Sequence, residues 1–302
     1  MENGDDFINA EPMRECMVAI ETTPQLKRMW KKKKATNAPI AIIVENFEHR
    51  ELVSRLIRRD LDVRFRAPLL GYSWAIIEPV LLALVYSFVF GIIVGRSDPL
   101  YPAIVMIGVI GWSLFSRCMT GTTKTLTSNA SLFQFTKIPK SVFAISNMMT
   151  NYLLSCISLF ALIPFIYLNN LSIDFSYMML PVYLFLLAIT GTTLGLLLAP
   201  AAVRIPDLVN IVQFLSRVGF FLSPVMWTYQ MLSSKFGTGT YLVLAHLNPV
   251  IVPITKMRDI ILNQDSQIPS YGIYIFATTV LFFYLAGTMI FHVKANKMVV
   301  GL

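Results

Sequence analysis

The chain has 302 residues, 55% of them hydrophobic and only 14% charged, against about 25% charged in soluble globular domains. A formal charge of +8 could suggest nucleic acid, but 13 of the 25 Lys and Arg and 11 of the 17 Asp and Glu precede residue 67, and the rest is nearly uncharged. That distribution excludes a soluble domain and points to a membrane. Cys16, Cys118 and Cys156 show neither C-x-x-C spacing nor an even set, so no disulfide framework is expected.

Residues 1–44 read as a flexible cytosolic tail whose "KRMWKKKK" suits anionic lipid. Asp5, Asp6, Glu11, Glu15 and Glu21 interrupt any apolar core there, so a cleavable signal peptide is not expected. Over residues 45–67, Phe47, Leu52, Val53, Leu56, Ile57, Leu61 and Phe65 recur at helical spacing with charges between them. This predicts an amphipathic interface helix on the membrane surface. Pro68 should end it, Gly71 should permit a turn, and Tyr72 and Trp74 suit headgroup depth.

Residues 68–302 read as a six-span all-α unit. A spanning helix needs about 20 apolar residues, and the segments that qualify are 75–95, 101–121, 142–168, 177–200, 208–228 and 271–292. The 228–271 connection contains "YLVLAHLNPVIVPITKM". Its two prolines predict a broken, re-entrant or interfacial element rather than a seventh span. The Lys27–Arg66 cluster, Lys124, Lys137, Lys140, Arg204, Lys294 and Lys297 fall on one side under this count, which predicts that both termini are cytosolic.

Three ionisable residues lie inside apolar segments. Glu78, one turn into the first span, and Arg117, near the cytosolic end of the second, should share a depth. They either pair or snorkel separately to the headgroups. Arg217 lies near mid-span in "NIVQFLSRVGFFLSP". An Arg at that depth costs about 2.5–3.5 kcal/mol on insertion scales, so it should face a partner group or water rather than lipid.

Signs of catalysis are few. "TGTTKTLT" fails as a phosphate loop because Thr123 stands where a glycine must precede Lys124. His49, His246 and His292 are far apart in sequence and from any cysteine pair, so no metal site is expected. No nucleophilic triad is recognisable by spacing. The expectation is a transport subunit without its own ATPase site, driven by a partner or an ion gradient.

The string Arg59, Asp60, Leu61, Arg64, Phe65, Leu70, Gly71, Trp74, Pro79, within "RRDLDVRFRAPLLGYSWAIIEP", resembles the type-2 ABC transporter permeases that export bacterial polysaccharides such as O-antigen, capsule and teichoic acid. The likeness spans roughly residues 45–300. "SNASLFQFTKIPKSVFA" stands where that family places a cytosolic coupling helix, with Ile138, Pro139 and Lys140 in place of its F-P-R ending. "VRIPDL" stands at the family's R-D pair, with Pro206 in the arginine slot beside Asp207. "FLSPVMW" and "LNPVIVPITKMRD" also match, through Ser223, Pro224, Asn248, Pro249 and Arg258.

The resemblance implies a homodimer in the bacterial inner membrane, with two separate ATP-binding subunits that hold ATP and magnesium; no cofactor is expected in this chain. It implies an ATPase-coupling surface at Arg59, Asp60, Arg64, Leu132, Lys137, Pro139, Lys140, Arg204 and Asp207. It also makes Gly71, Trp74, Glu78 and Pro79 the turn and gate into the membrane. A sugar chain stacks its CH faces on aromatic rings, so Tyr86, Phe88, Phe90, Phe214, Phe220, Phe221, Trp227 and Tyr229, with Arg217, are the conduit candidates. A permease of the same type for a drug or lipid is the alternative. A secondary transporter would be expected to show internal repeats and several midplane charges.

Overall fold

The computed structural model describes residues 38–298 except 66–70, 95–98, 136–137, 173, 237–242, 244 and 267, and omits the side chains of 90–94, 134–135, 236 and 296–298. Among the described residues there is no strand. The protein is an all-α, multi-pass membrane protein. Among the described residues, five stretches are long and apolar enough to cross a bilayer: Gly71–Val89, Tyr101–Thr123, Ser141–Leu168, Phe175–Arg204 and Ser270–Ala295.

The interface element begins earlier than its periodicity predicts and comes in two pieces, α1 (Ala38–Glu48) and α2 (Arg50–Phe65). Residues 38–44 are therefore helical rather than tail. Pro39 occupies the first turn, where its missing N–H costs nothing. Its carbonyl accepts a hydrogen bond from Tyr284 Oη at 3.2 Å, which ties α1 to the last span. In α2, Val53 and Leu56 turn inward between the charged positions. The predicted end at Pro68 lies outside the described residues.

The first span, α3 (Trp74–Val94), carries Pro79 in its interior. Pro79 has no N–H for the Ala75 carbonyl one turn back. The Ser158 hydroxyl donates to that carbonyl instead, at 2.6 Å. Ser158 ends α7 (Ser141–Ser158), and a 3-10 turn, Leu159–Leu162, then leads into α8 (Ile163–Leu168) to complete the third span. The proline thus leaves a free acceptor and docks the first span on the third through it.

The central helix, α4 (Tyr101–Thr123), is buried over most of its length. It lies against α9 (Leu180–Arg204), which in turn carries α13 (Ser270–Met298) on its other side. The approach of α4 to α9 needs a glycine at 191, where an added Cβ would stand 2.4 Å from the Phe115 carbonyl oxygen. Small residues serve this purpose in membrane bundles, where dispersion between close backbones replaces a hydrophobic driving force.

In the expected fifth span, 208–228, the helix ends earlier than hydropathy predicts. The helix there, α10 (Leu208–Leu222), has 15 residues and at 1.5 Å per residue reaches only about 22 Å. Ser223 is extended, at φ −93° and ψ 159°, and Pro224 cannot supply the next helical donor. Beyond this break lie α11 (Tyr229–Phe236) and α12 (Ile251–Leu262), the latter almost wholly buried and ended by left-handed Asn263. Neither is long enough to cross the bilayer. Two short helices, α5 (Thr125–Ser128) and α6 (Ala130–Phe135), fill the connection after α4.

Gly191→Ala should force α4 and α9 apart. A loss of about 1–3 kcal/mol, typical of overpacking, is expected, and thermal unfolding of the purified chain in micelles reads it.

Candidate functional site

Gly71 opens the turn into the membrane at φ +47°, a conformation that favours glycine. Tyr72 then folds its ring against Phe65, with centroids 4.4 Å apart. Tyr72 and Trp74 remain 47% and 42% exposed, as headgroup anchors should be. One turn further, Glu78 and Arg117 pair: Arg117 Nη2 donates to both carboxylate oxygens at 2.8 Å. Pro79 itself is buried.

Arg59, Asp60 and Arg64, expected on a partner-facing surface, line an open cavity of about 550 Å³ together with Arg117 and Lys124, and Arg59, Arg64 and Lys124 stay exposed there. Arg59 is held by its neighbour, donating from Nε and Nη2 to Asp60 Oδ1 at 3.0 and 2.7 Å. Arg64 Nη1 donates to Asn151 Oδ1 at 3.4 Å. Partial burial first, and the nearby Arg117 guanidinium second, hold the Arg64 pKa below its usual value, while Glu78 opposes the shift.

The other coupling candidates divide by exposure. Leu132, on α6, is exposed, as are Arg204 and Asp207 at the bend between α9 and α10. Lys137 lies outside the described residues. Pro139 and Lys140 are half-buried. Lys140 turns inward: its Nζ donates to the Ala295 carbonyl at 2.8 Å and sits 5.8 Å from the centre of the Phe133 ring. Burial pushes its ammonium down to about 8.

At the opposite end of the bundle, two stretches matched by motif from distant parts of the chain meet. Asn248 Nδ2 donates to Ser223 Oγ at 2.9 Å, and its Oδ1 accepts from Val250 N at 3.2 Å. The break after α10 leaves carbonyls without helical donors, and a buried Arg258 collects two of them while also reaching a carbonyl of α4. Its Nη2 donates to Val225 O at 2.8 Å, its Nη1 to Trp227 O at 2.9 Å and its Nε to Ile104 O at 3.1 Å. Tyr101 Oη takes the remaining carbonyl, Met226 O, at 3.0 Å. Five donors in a fixed fork let one guanidinium close such a turn.

The aromatic candidates do not form one surface. Tyr86 packs on Phe220, and Phe220 on Phe221, both pairs with centroids 5.4 Å apart. Trp227 Nε1 donates to Phe221 O at 3.3 Å. Phe88, Phe214 and Phe221 present open rings, whereas Tyr229 is buried beside His246 and so offers none. The Phe90 side chain lies outside the described residues. Arg217 is exposed on α10 beside Phe214 and Phe221, while the Ser216 hydroxyl hydrogen-bonds that of Ser116 to hold the helix on α4.

Sequence reasoning missed Ser158, Asn151 and Tyr101. A serine, an asparagine and a tyrosine in apolar helices carry no spacing signal, because their partners lie 83, 87 and 125 residues away.

Exchanging Glu78 and Arg117 in a double variant should recover stability lost in either alanine variant, with a coupling of about 1–3 kcal/mol. Separate snorkelling would give purely additive losses. Arg258→Lys should destabilise the protein by roughly 2–5 kcal/mol, since the donors of an ammonium radiate from one atom and cannot span carbonyls reached from Nε, Nη1 and Nη2, and buried unpaired acceptors are costly. Thermal unfolding measures both, and protease access to residues 227–236 should rise with the second.

A family model described as "ABC-2 type transporter" matches residues 51–262. The chain is similar to the O-antigen export system permease protein RfbA of Klebsiella pneumoniae, 24% identical over 221 residues that cover 70% of this chain and 81% of that protein. It is similar to the RfbA protein of Myxococcus xanthus, 25% identical over 221 residues covering 73% and 84%. It also resembles the polysialic acid transport protein KpsM of Escherichia coli, 22% identical over 213 residues covering 70% and 81%. With the match running from the interface helix through the clamp at Arg258, the chain belongs to the ABC-2 type transporter family.

Proposed function

We propose that this chain is the membrane-spanning permease subunit of an ATP-driven exporter that moves a lipid-linked polysaccharide, of O-antigen, capsule or teichoic-acid type, across the bacterial inner membrane. The observation that carries this reading is the likeness over most of the chain to relatives named for O-antigen export and polysialic acid transport. In this reading two copies of the chain assemble with two ATP-binding subunits, which hold ATP and magnesium. Both termini lie in the cytosol.

The exposed face of α10 supports the pairing of two copies. Arg217 shares it with Phe214, Val218 and Phe221. A lipid-facing Arg there would cost about 2.5–3.5 kcal/mol. A second copy or a wet conduit gives the guanidinium polar surroundings and gives the rings a sugar chain to stack on. On the cytosolic side, Arg59, Arg64, Leu132, Arg204 and Asp207 are exposed positions open to an ATP-binding partner. Lys140 acts from behind, by holding the connection after α6 to α13 through the Ala295 carbonyl.

The chain should co-purify with its ATP-binding subunit from cells that express both. Mass determination in nanodiscs should give two copies of each, and ATP hydrolysis should rise when lipid-linked polysaccharide is added. A complex stimulated by small amphiphiles but not by glycan would transfer the reading to a drug or lipid permease. A chain that stays alone would remove the ATP-driven mechanism.

A further inference from the structure

The cavity beneath α2 has a charge imbalance that the protein leaves uncorrected. Arg59, Arg64, Arg117 and Lys124 line it, with Asp60 as the one carboxylate on its wall. Glu78 reaches Arg117 from the adjoining side. Four cations against two carboxylates leave a surplus of two positive charges. Like charges this close repel at the modest dielectric of an interface. Surface cations relieve this by pointing apart into water, yet α2 and the C-terminal end of α4 bring these partly exposed side chains around one shared space.

Two further features suit an anion. Thr150 lines the cavity, is 4% exposed, and its buried hydroxyl has no hydrogen-bond partner among the described residues. A buried donor of this kind is costly unless something accepts from it. The cavity also lies at a defined depth. Arg117 forms its upper end beside Glu78, one turn into the first span, and Tyr72 and Trp74 mark the headgroup level next to it. Its volume of about 550 Å³ exceeds what a single phosphate needs.

We propose that this cavity is an anion site for a phosphate group at headgroup depth, held by Arg59, Arg64, Arg117 and Lys124 with the Thr150 hydroxyl. A phosphate there accepts from guanidinium forks on two sides and neutralises the surplus charge. It thereby bridges the interface helix α2 to the transmembrane helices α4 and α7, whatever cargo the protein carries. Its depth favours the headgroup of an anionic lipid over inorganic phosphate.

The test is native mass spectrometry of the full chain in micelles titrated with phosphatidylglycerol. Each Lys or Arg near an anionic headgroup contributes about fivefold in affinity. Arg64→Gln with Lys124→Gln should therefore weaken retention of one phosphatidylglycerol by roughly twentyfold. Arg55→Gln with Arg58→Gln removes the same charge from exposed positions of α2 that do not line the cavity, and should leave that lipid in place. Thr150→Val should weaken it about threefold without changing any charge, and decides the matter if the first double variant fails to fold. Millimolar inorganic phosphate without effect assigns the site to the headgroup, and displacement of the lipid by it assigns the site to soluble phosphate. Equal loss in both double variants, or no loss when Arg64 and Lys124 are replaced, would overturn the proposal.

Discussion

The structure depends on one constraint: in hydrocarbon there is no water to satisfy a peptide group, so every break in a helix must find its donor or acceptor inside the protein. The chain breaks its helices at two places that matter. At Pro79 the Ala75 carbonyl loses its donor and gains Ser158. After Leu222 the backbone turns, and Arg258 and Tyr101 gather the carbonyls of Val225, Met226 and Trp227. Both repairs come from other helices, so a local irregularity becomes a tertiary joint.

These joints sit at opposite ends of the bundle. The first lies beside the Glu78–Arg117 pair, where the chain passes from α2 into the first span. The second holds the short α10 against the buried α12, at the end where a transported molecule would leave the membrane. Between them runs α4, which supplies both Arg117 to the first joint and Tyr101 to the second. That connection is built from packed side chains rather than from loops.

The aromatic rings illustrate how one residue type serves two ends. Tyr229 is enclosed with His246, whereas Phe214 and Phe221 stand open beside Arg217. Fifteen residues of helix cannot bury all of their faces against one chain. The open face combines rings with a cation, a pairing that suits a wet glycan or a second copy better than acyl chains.

Much of this was legible in the sequence. Apolar length alone marked six spans, of which five correspond to helices long enough to cross, because the bilayer thickness sets the number of residues required. The prolines of "LNPVIVPITKM" marked a broken element, and the shared depth of Glu78 and Arg117 allowed their pairing to be considered. Other features were not legible. Ser223 and Pro224 shorten the fifth segment, yet hydropathy continues smoothly through them to Trp227. Helix periodicity does not say which groups Arg59 and Arg64 meet, and only the packing of α2 on α7 sets them around a cavity that Arg117 and Lys124 also line. The sequence by itself determined class, span positions and family, since these follow from composition and local order. The tertiary structure alone decided which polar groups meet, because Arg258 and Ile104, or Arg64 and Asn151, are separated by 154 and 87 residues and are joined only when the helices pack.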